Sequence, residues 1–460
     1  MKVMQRFLIG VVLVIALGIA WVAAFNFETD LQRQARLVGW ADNLIEDKIY
    51  IRAMPFLEEA YTVKSDRTPE IVEKLKQVYY QLKYMSSYEA MLDIQMAADD
   101  ATSSPFLEAA AYKLERNRYE DAFTVMKSGI TRTNCEELTA YYEKTRYTHS
   151  FSTLYYLDVS AIFERTIMVC SQDNLWGIID IYADEIIPCE YDKISTYSNR
   201  RAIVSYDGEV FSINRNNQRD DLLKSRDDDA DFIVGDFGNF NGTSLPVQIN
   251  GKWVRVRSGS NFSQDKTEFE YGTGGYEEMG MITGGYAAVK ENGKWGLIAA
   301  VGGSFAIAAE YDDIIRDELG ISFSQNAVFA KKGNQVFLYV LENGEFKRID
   351  GVFEDARVFN ADGWAAVKLN GKWCFIDTAG EIKLELSAEY EDALSFSGHL
   401  AAVKKDSAWG YVCLKGNLVI YRDPQDEDTS PFIAAKSFSN GRAPVQTESG
   451  WGIITLREFE

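Results

Sequence analysis

Histidine and cysteine are scarce in this sequence, which limits the chemistry that can be expected of it. The 460 residues include two histidines and five cysteines. The cysteines form no C-x-x-C pair and have no metal-ligand spacing with histidine. No nucleophile elbow, phosphate-binding loop, dinucleotide-binding turn or zinc motif occurs either. The sequence therefore predicts no catalytic residue, no cofactor-binding residue and no metal ligand.

Basic residues are also few relative to acidic ones. Lysine and arginine total 48 against 69 aspartates and glutamates, which gives a formal net charge of −21. Binding to nucleic acid needs clustered lysine and arginine to neutralise phosphates, and no basic stripe occurs. No nucleic-acid partner is therefore predicted. The acidic runs at 220–231 and 423–428 lack the spacing of a Ca²⁺ loop and are interpreted as solvated loops.

One long uncharged run stands at the N-terminus. Residues 7–25 are apolar throughout, and Lys2 and Arg6 precede them. A run of this length can span a bilayer as a helix, so residues 1–27 are predicted to be a transmembrane anchor. A signal sequence cleaved near Val22-Ala23-Ala24, which would make the protein secreted, is the alternative. The preceding positive charges predict a cytoplasmic N-terminus and an extracytoplasmic (periplasmic) bulk.

Residues 28–160 have helical periodicity. Apolar residues recur at intervals of three and four, as at Leu75, Val78 and Tyr79. Thr68-Pro69 and Ser104-Pro105 are cap-then-proline helix starts. The region is predicted to be a domain of helical hairpins that weakly resembles tetratricopeptide repeats, with an irregular helical domain as the alternative.

A repeated hairpin pattern dominates the rest of the chain. Residues 286–298, YAAVKENGKWGLI, predict two strands joined by an Asn292-Gly293 turn. Asn-Gly favours this hairpin because a type I′ turn needs positive φ at both central residues. Similar segments recur, and their equivalent anchor positions are Trp176, Val210, Trp253, Trp295, Val336, Trp373, Trp409 and Trp451.

The spacing of these anchors predicts a repeat architecture. Successive anchors lie 34 to 43 residues apart, a period typical of solenoids, propellers and arrays. Residues 161–460 are therefore predicted to be a β-repeat domain of about eight units. The structural positions of the repeat are Trp176, Gly177, Trp253, Trp295, Gly296, Trp373, Trp409, Gly410, Trp451 and Gly452. We expect the tryptophans to pack in the core and the glycines to let a neighbouring backbone come close.

An aromatic-acidic pair follows several of the hairpins. Examples are Tyr191-Asp192, Tyr311-Asp312, Phe353-Glu354 and Tyr390-Glu391. Aspartate and glutamate can accept hydrogen bonds from turn amides, so a structural role is predicted for these carboxylates. A carboxylate-dependent hydrolase stays open as an alternative, because the sequence has many acidic residues.

The repeated Trp-Gly with its upstream A-x-V pattern resembles the bacterial WG (KWG) repeat family. The resemblance covers roughly residues 163–460, and it is weakest at Val210 and Val336, where tryptophan is replaced. It implies a β-rich repeat domain that serves as an interaction surface, with no catalytic residues attached to it.

The predicted fold class is multidomain α + β: an N-terminal transmembrane helix, a helical hairpin domain and a C-terminal all-β repeat array. The array could be open or closed as a propeller, and the uneven unit lengths favour the open form. The predicted function is a non-catalytic, membrane-tethered interaction or scaffold protein with protein partners. An envelope module that binds glycan or peptidoglycan through an exposed tryptophan ladder is the alternative.

Substitution of Trp295 distinguishes a core tryptophan from a ladder residue. If the indole is in the core, Trp295→Ala should lower the free energy of unfolding by about 3–5 kcal/mol. Thermal or denaturant unfolding measures this. An unchanged melting temperature together with loss of a bound glycan would instead support the ladder.

Overall fold

A computed structural model describes residues 29–220, 234–257, 275–425 and 430–459. The chain divides into two compact units, with the boundary between Arg146 and Tyr147. The predicted anchor at residues 1–27 lies outside the described residues, as do residues 221–231 of the first acidic run and 426–428 of the second. Within the described ranges, no helix has the length and apolar character needed to cross a bilayer.

Seven helices make up the described part of the first unit. Two of them begin at Thr68 and Ser104, as predicted, and each has a proline in its first turn, where a missing N–H breaks no helical hydrogen bond. Leu75, Val78 and Tyr79 are buried, which confirms the predicted apolar face. The helices are α1 (Asp30–Glu46), α2 (Tyr50–Tyr61), α3 (Thr68–Leu82), α4 (Met85–Ala97), α5 (Ser104–Leu114), α6 (Tyr119–Thr133) and α7 (Glu136–Thr145).

The second unit is an eight-bladed β-propeller. Each blade is an antiparallel sheet whose strands are labelled A to D from the central channel outward; strands A to C are described in blade 3 and all four in the other blades. Blades 1 to 4 contain β2 (Asp158–Val159), β3 (Thr166–Cys170), β4 (Trp176–Asp180) and β5 (Glu185–Tyr191); β6 (Lys193–Ile194), β7 (Arg201–Tyr206), β8 (Glu209–Asn214) and β9 (Arg219–Asp220); β10 (Val234–Phe237), β11 (Ser244–Ile249) and β12 (Lys252–Arg257); and β13 (Glu278–Met279), β14 (Tyr286–Glu291), β15 (Lys294–Ala299) and β16 (Phe305–Tyr311).

Blades 5 to 8 complete the ring. They contain β17 (Asp313–Ile314), β18 (Ala327–Lys332), β19 (Gln335–Glu342) and β20 (Glu345–Arg348); β21 (Asp355–Ala356), β22 (Ala365–Leu369), β23 (Lys372–Ile376) and β24 (Ile382–Glu385); β25 (Tyr390–Ala393), β26 (Leu400–Lys405), β27 (Ala408–Cys413) and β28 (Leu418–Tyr421); and β29 (Ala434–Ala435), β30 (Arg442–Thr447), β31 (Gly450–Leu456) and β1 (His149–Thr153).

The outer strand of blade 8 comes from the start of the propeller. β1 pairs with β31 in antiparallel register, from His149 opposite Leu456 to Thr153 opposite Gly452. The last blade is therefore built from both ends of the domain. The domain boundary lies earlier than the predicted 160 because β1 already belongs to the propeller.

Packing between blades also closes the ring. In the described part of the propeller, an apolar cluster lies at each of the eight blade-to-blade interfaces. The cluster between blades 8 and 1 joins Trp451 and Ile453 to Ile167 and Val169. The expected preference for an open array is therefore wrong. The unequal unit lengths are compatible with a ring because a unit can carry extra residues in a loop, as blade 5 does at 315–326.

The six repeat tryptophans occupy equivalent positions, at the first or second residue of strand C. Trp295, Trp373 and Trp451 are at most 5% exposed. Three more, Trp176, Trp253 and Trp409, are partly buried, and each packs against an interblade cluster. The replacements Val210 and Val336 occupy the same position in β8 and β19, so these two units are genuine copies of the blade.

The glycine after four of the tryptophans makes room for strand D. A Cβ at Gly296 would lie 2.7 Å from the carbonyl oxygen of Ile307. The sheet register shifts at this point: Trp295 pairs with Tyr311 and Leu297 pairs with Ile307, so a step of two residues in strand C corresponds to a step of four in strand D. Such a bulge brings the extra backbone over the residue that has no side chain. The same close approach occurs at Gly177, Gly410 and Gly452, with oxygen distances of 2.6, 2.7 and 2.8 Å.

The aromatic-acidic pair links consecutive blades. Where the aromatic residue ends strand D, it pairs with the anchor of the same blade, as Tyr191 does with Trp176 and Tyr311 with Trp295. Tyr390 instead pairs with Lys405 of blade 7. The carboxylate accepts a hydrogen bond from the B–C turn of the blade into which the pair leads, which confirms the predicted structural role. The bonds have lengths of 2.6 to 3.2 Å and run from the amides of Asp207, Gly293, Gly333, Gly371 and Ser407 to the carboxylates of Asp192, Glu277, Asp312, Glu354 and Glu391, respectively.

We expect Gly296→Ala to destabilise the propeller by about 1–3 kcal/mol, because the new methyl group would press on the backbone of strand D. Denaturant unfolding of the full chain measures the effect. Gly39→Ala is the control: no atom lies within 4 Å of the Cβ position at this helical glycine, so alanine should be neutral or stabilise by about 0.5–1 kcal/mol. Equal effects at the two glycines would contradict the strand D explanation.

Candidate functional site

The loops between strands A and B form one face of the propeller, which we call the AB face. The B–C turns lie on the opposite face, because adjacent strands run in opposite directions. Hydroxyl groups tie neighbouring AB loops together. Thr196 Oγ1 donates to the Phe240 carbonyl at 2.7 Å, and Ser397 Oγ donates to the Phe438 carbonyl at 2.6 Å.

One AB loop is much longer than the others. Six blades have AB loops of six residues and blade 6 has eight, whereas blade 5 has twelve, residues 315–326. We call residues 315–326 the insert loop. Because the blades otherwise repeat one plan, the insert loop is the largest departure from eightfold symmetry on the AB face.

The insert loop crosses the central channel. Its Gly320 carbonyl accepts from the Met281 amide of blade 4, at 2.9 Å. The Leu319 carbonyl accepts from Asn239 Nδ2 of blade 3, also at 2.9 Å. The Glu318 carboxylate accepts from the Ala161 amide of blade 1 and from the Lys436 ammonium of blade 8. The loop thus binds to four blades other than its own.

Blade 4 is shaped to receive this loop. A Cβ at Gly280, just after β13, would lie 2.8 Å from the Gly320 carbonyl oxygen. Only a residue without a side chain leaves room for the insert backbone at this place. At the base of the loop, the Arg316 guanidinium lies 3.6 Å from the centre of the Trp295 ring, within the range of a cation–π contact.

A pocket of about 500 Å³ remains beside the insert loop. It is bounded by the AB loops of blades 1, 5, 6, 7 and 8. Arg357 lines it and is paired with Asp355 and with Asp392 of the next blade, each at 2.9 Å. Glu318 and Lys436 form a further ion pair, and Phe438 contributes to the apolar part of the wall. The pocket therefore combines charged, hydroxyl and apolar groups, as ligand sites do.

Asp317 shapes the insert loop from within. Its Oδ1 accepts from the amides of Leu319 at 3.0 Å and Ile321 at 2.8 Å. Burial raises the pKa of this carboxyl from 3.8 to about 6, against the opposing effect of these amides. Ionisation of Asp317 at neutral pH therefore costs the folded loop free energy.

The repeat positions predicted from the sequence belong to the blades that support this site, whereas the polar residues of the pocket were not predicted. Among the predicted structural positions, Trp409 lines the pocket and the others do not. Arg316, Glu318, Arg357 and Lys436 were not singled out. The sequence did contain a signal for the insert loop, in the spacing between the aromatic-acidic pair and the next aromatic residue before the hairpin. This spacing is six residues from Phe353 to Phe359 and from Tyr390 to Phe396. It is twelve residues from Tyr311 to Phe323.

Metal-ligating groups do not converge in the parts of the chain that the structure describes, where no cluster of three or more histidine, cysteine, aspartate or glutamate side chains is arranged to hold an ion. His399 lies on the AB loop of blade 7, with its side chain 60% exposed and its Nδ1 3.6 Å from Asp362. His149 lies on β1.

Asp317→Asn should remove one component of the pH dependence of stability. The folded pKa is raised, so the folded chain binds a proton that the unfolded chain has released, and the free energy of unfolding falls between pH 3.8 and about 6. Asparagine keeps a side-chain oxygen that can accept from the Leu319 and Ile321 amides, but it carries no charge. As the pH rises across this range, we expect the free energy of unfolding of the variant to increase by about 1–3 kcal/mol relative to that of the wild type. Urea unfolding from pH 4 to 7 tests this, and parallel curves for the two proteins would contradict it.

The family described as "WG containing repeat" matches residues 176–209, 275–295, 342–373 and 375–409. Each stretch starts or ends near an anchor tryptophan, so the sequence unit straddles two blades. No curated protein sequence matches the chain.

The similar solved structures have low sequence identity and TM-scores below 0.5. A eukaryotic initiation factor has 10% identity and a TM-score of 0.42, covering 67% of this chain and 87% of the other. PorZ, a surface component of the type-IX secretion system of Porphyromonas gingivalis, has 9% identity and a TM-score of 0.34. That match covers 65% of this chain and 42% of PorZ, so the chain spans less than half of PorZ. YCF48 bound to D1 peptide has 13% identity and a TM-score of 0.32, with coverages of 67% and 99%. The sequence matches place WG repeats at four stretches of the propeller of this chain.

Proposed function

We propose that the chain is a non-catalytic, membrane-tethered scaffold that presents the AB face of its propeller to a protein partner. The observation that carries this proposal is the insert loop. Eight similar blades build a frame, and the AB face departs from that frame where the insert crosses the channel and leaves a pocket of about 500 Å³. Loops on a rigid scaffold are where binding specificity is usually placed.

The helical unit offers a second surface. A cavity of about 360 Å³ lies between α3 and α5 and is lined by Tyr80, Tyr88 and Glu108. At its base, Lys76 Nζ lies 2.6 Å from Glu108, and the Tyr88 hydroxyl donates to the same carboxylate at 2.9 Å. A fixed polar base beneath a partly exposed tyrosine suits recognition of another molecule better than it suits core packing.

Structural use of the repeated carboxylates supports the non-catalytic part of the proposal. Asp192, Glu277, Asp312, Glu354 and Glu391 each hold a B–C turn. A hydrolase would need two carboxyl groups facing a substrate at a defined separation. Since turn capping accounts for these acids, their recurrence needs no catalytic explanation.

Membrane tethering rests on the sequence of residues 1–27. The apolar run at 7–25 follows Lys2 and Arg6, which favours a cytoplasmic N-terminus and a propeller outside the cytoplasm, in the periplasm. A scaffold held there would meet its partner near the membrane surface. Cell fractionation with and without detergent tests the tether.

One observation favours glycan binding as a second candidate function. In the helical cavity, the Tyr80 side chain is 40% exposed and its ring centroid lies 5.2 Å from that of Tyr88, close to the Glu108 carboxylate. Aromatic faces beside hydrogen-bonding groups can hold sugar rings. An envelope glycan or peptidoglycan fragment is the class of ligand that this cavity would take.

Site-specific photo-crosslinking in cells tests the main proposal. A photo-crosslinking amino acid at Ala361, exposed on the pocket rim, should trap a discrete protein partner, whereas the same group at Ser449 should not. Ser449 is the matched control because it is exposed in the β30–β31 turn on the opposite face. Equal trapping at both positions, or at neither, would contradict the AB face as the docking surface. Capture of glycan alone would support the alternative function.

A further inference from the structure

We propose that the channel end on the AB face is a carboxylate-binding site, and that Glu318 of the chain itself occupies it until a ligand with an acidic group replaces it. This inference rests on the proposed function, because it names the chemistry by which the AB face recognises its partner. The ligand class is a carboxylate, carried by a small organic acid or by an acidic segment of a protein.

The receptor consists of two hydrogen-bond donors on the frame of the propeller. The Ala161 amide belongs to the AB loop of blade 1 and lies 2.5 Å from Glu318 Oε1. The Lys436 ammonium follows β29 in blade 8 and contacts Glu318 Oε2. An ammonium group and a backbone amide donate and do not accept, so only an acceptor fits between them. Two donors against two oxygens are the arrangement that a carboxylate satisfies.

The group that fills this receptor belongs to the insert. Glu318 lies in the loop that blade 5 has in excess of its sister blades, whereas Lys436 and Ala161 lie in AB loops of ordinary length. Movement of the insert would leave the two donors in place and remove their acceptor. The side chain of Glu318 is 37% exposed, so a competing carboxylate can reach it from solvent.

Of the cations that line the pocket outside the insert loop, Lys436 is the one whose partner can be exchanged. Arg357 is held by Asp355 and Asp392, each at 2.9 Å. These carboxylates belong to strands A of blades 6 and 7, so the pairs of Arg357 persist when the insert moves. Arg316 belongs to the insert itself, where it lies 3.0 Å from Asp313 of its own blade. The adjoining volume of about 500 Å³ accommodates the rest of a ligand.

Glu318→Gln tests the proposal by weakening the internal competitor. Isothermal titration of the purified full chain uses glutarate and a capped tetraglutamate peptide as probes. We expect at least tenfold tighter binding of one or both to Glu318→Gln than to the wild type, since occupancy of the site by Glu318 lowers the apparent affinity. Adding Lys436→Gln to this variant should abolish binding.

Glu342→Gln is the matched control. Glu342 forms an exposed ion pair with Lys347 at 2.9 Å on the outer hairpin of blade 5, so its loss should leave binding at the wild-type level. Circular dichroism melts establish that each variant is folded. If Glu318→Gln has a lower melting temperature and binds neither probe, Glu318 only stabilises the propeller and the proposal is overturned. Binding of 1,5-diaminopentane in preference to the acids would also overturn it.

The two probes separate the possible sources of the carboxylate. Comparable affinities indicate a free organic acid, and at least tenfold preference for the peptide indicates an acidic protein segment. The Ala361 crosslink separates this inference from the function on which it rests. A crosslinked partner with no carboxylate binding overturns the ligand class alone, whereas loss of both overturns the docking surface as well.

Discussion

The pairing of β1 with β31 is the contact on which the propeller depends. Each blade is too small to cover its own apolar faces, and every interface cluster is shared between two blades. Without closure, Ile167 and Val169 on one end and Ile453 on the other would face water. One antiparallel strand pair, made from the two ends of the domain, removes both exposed faces and both open ends at once.

A few local contacts recur around the ring. An anchor residue at the start of strand C packs between blades, and in four blades the glycine after it makes room for strand D. In five blades a carboxylate that follows an aromatic residue holds the B–C turn. Since each of these contacts is short in range, the unit can be copied with small changes. Val336 shows this, because it fills the anchor position without distorting blade 5.

Because the eight blades repeat one plan, the insert loop of blade 5 stands out as a departure from it. Seven AB loops have six or eight residues, while the twelve-residue insert loop reaches blades 1, 3, 4 and 8. A ring of identical blades would have an open channel with one kind of surface. The insert fills part of that channel and creates a pocket whose chemistry belongs to this chain.

The sequence by itself determined the features that rest on neighbouring residues: the Asn292-Gly293 hairpin, the strand C anchors, the proline-marked starts of α3 and α5, and the acidic residues that hold turns. Only the tertiary structure decided that the array is closed and that Ala161, Glu318 and Lys436 meet. Closure depends on residues from the two ends of the domain, and the site depends on loops from three blades. No local sequence pattern predicts contacts between residues that are distant in the chain, because the free energy that favours such contacts comes from burying apolar surface and pairing charges between distant segments.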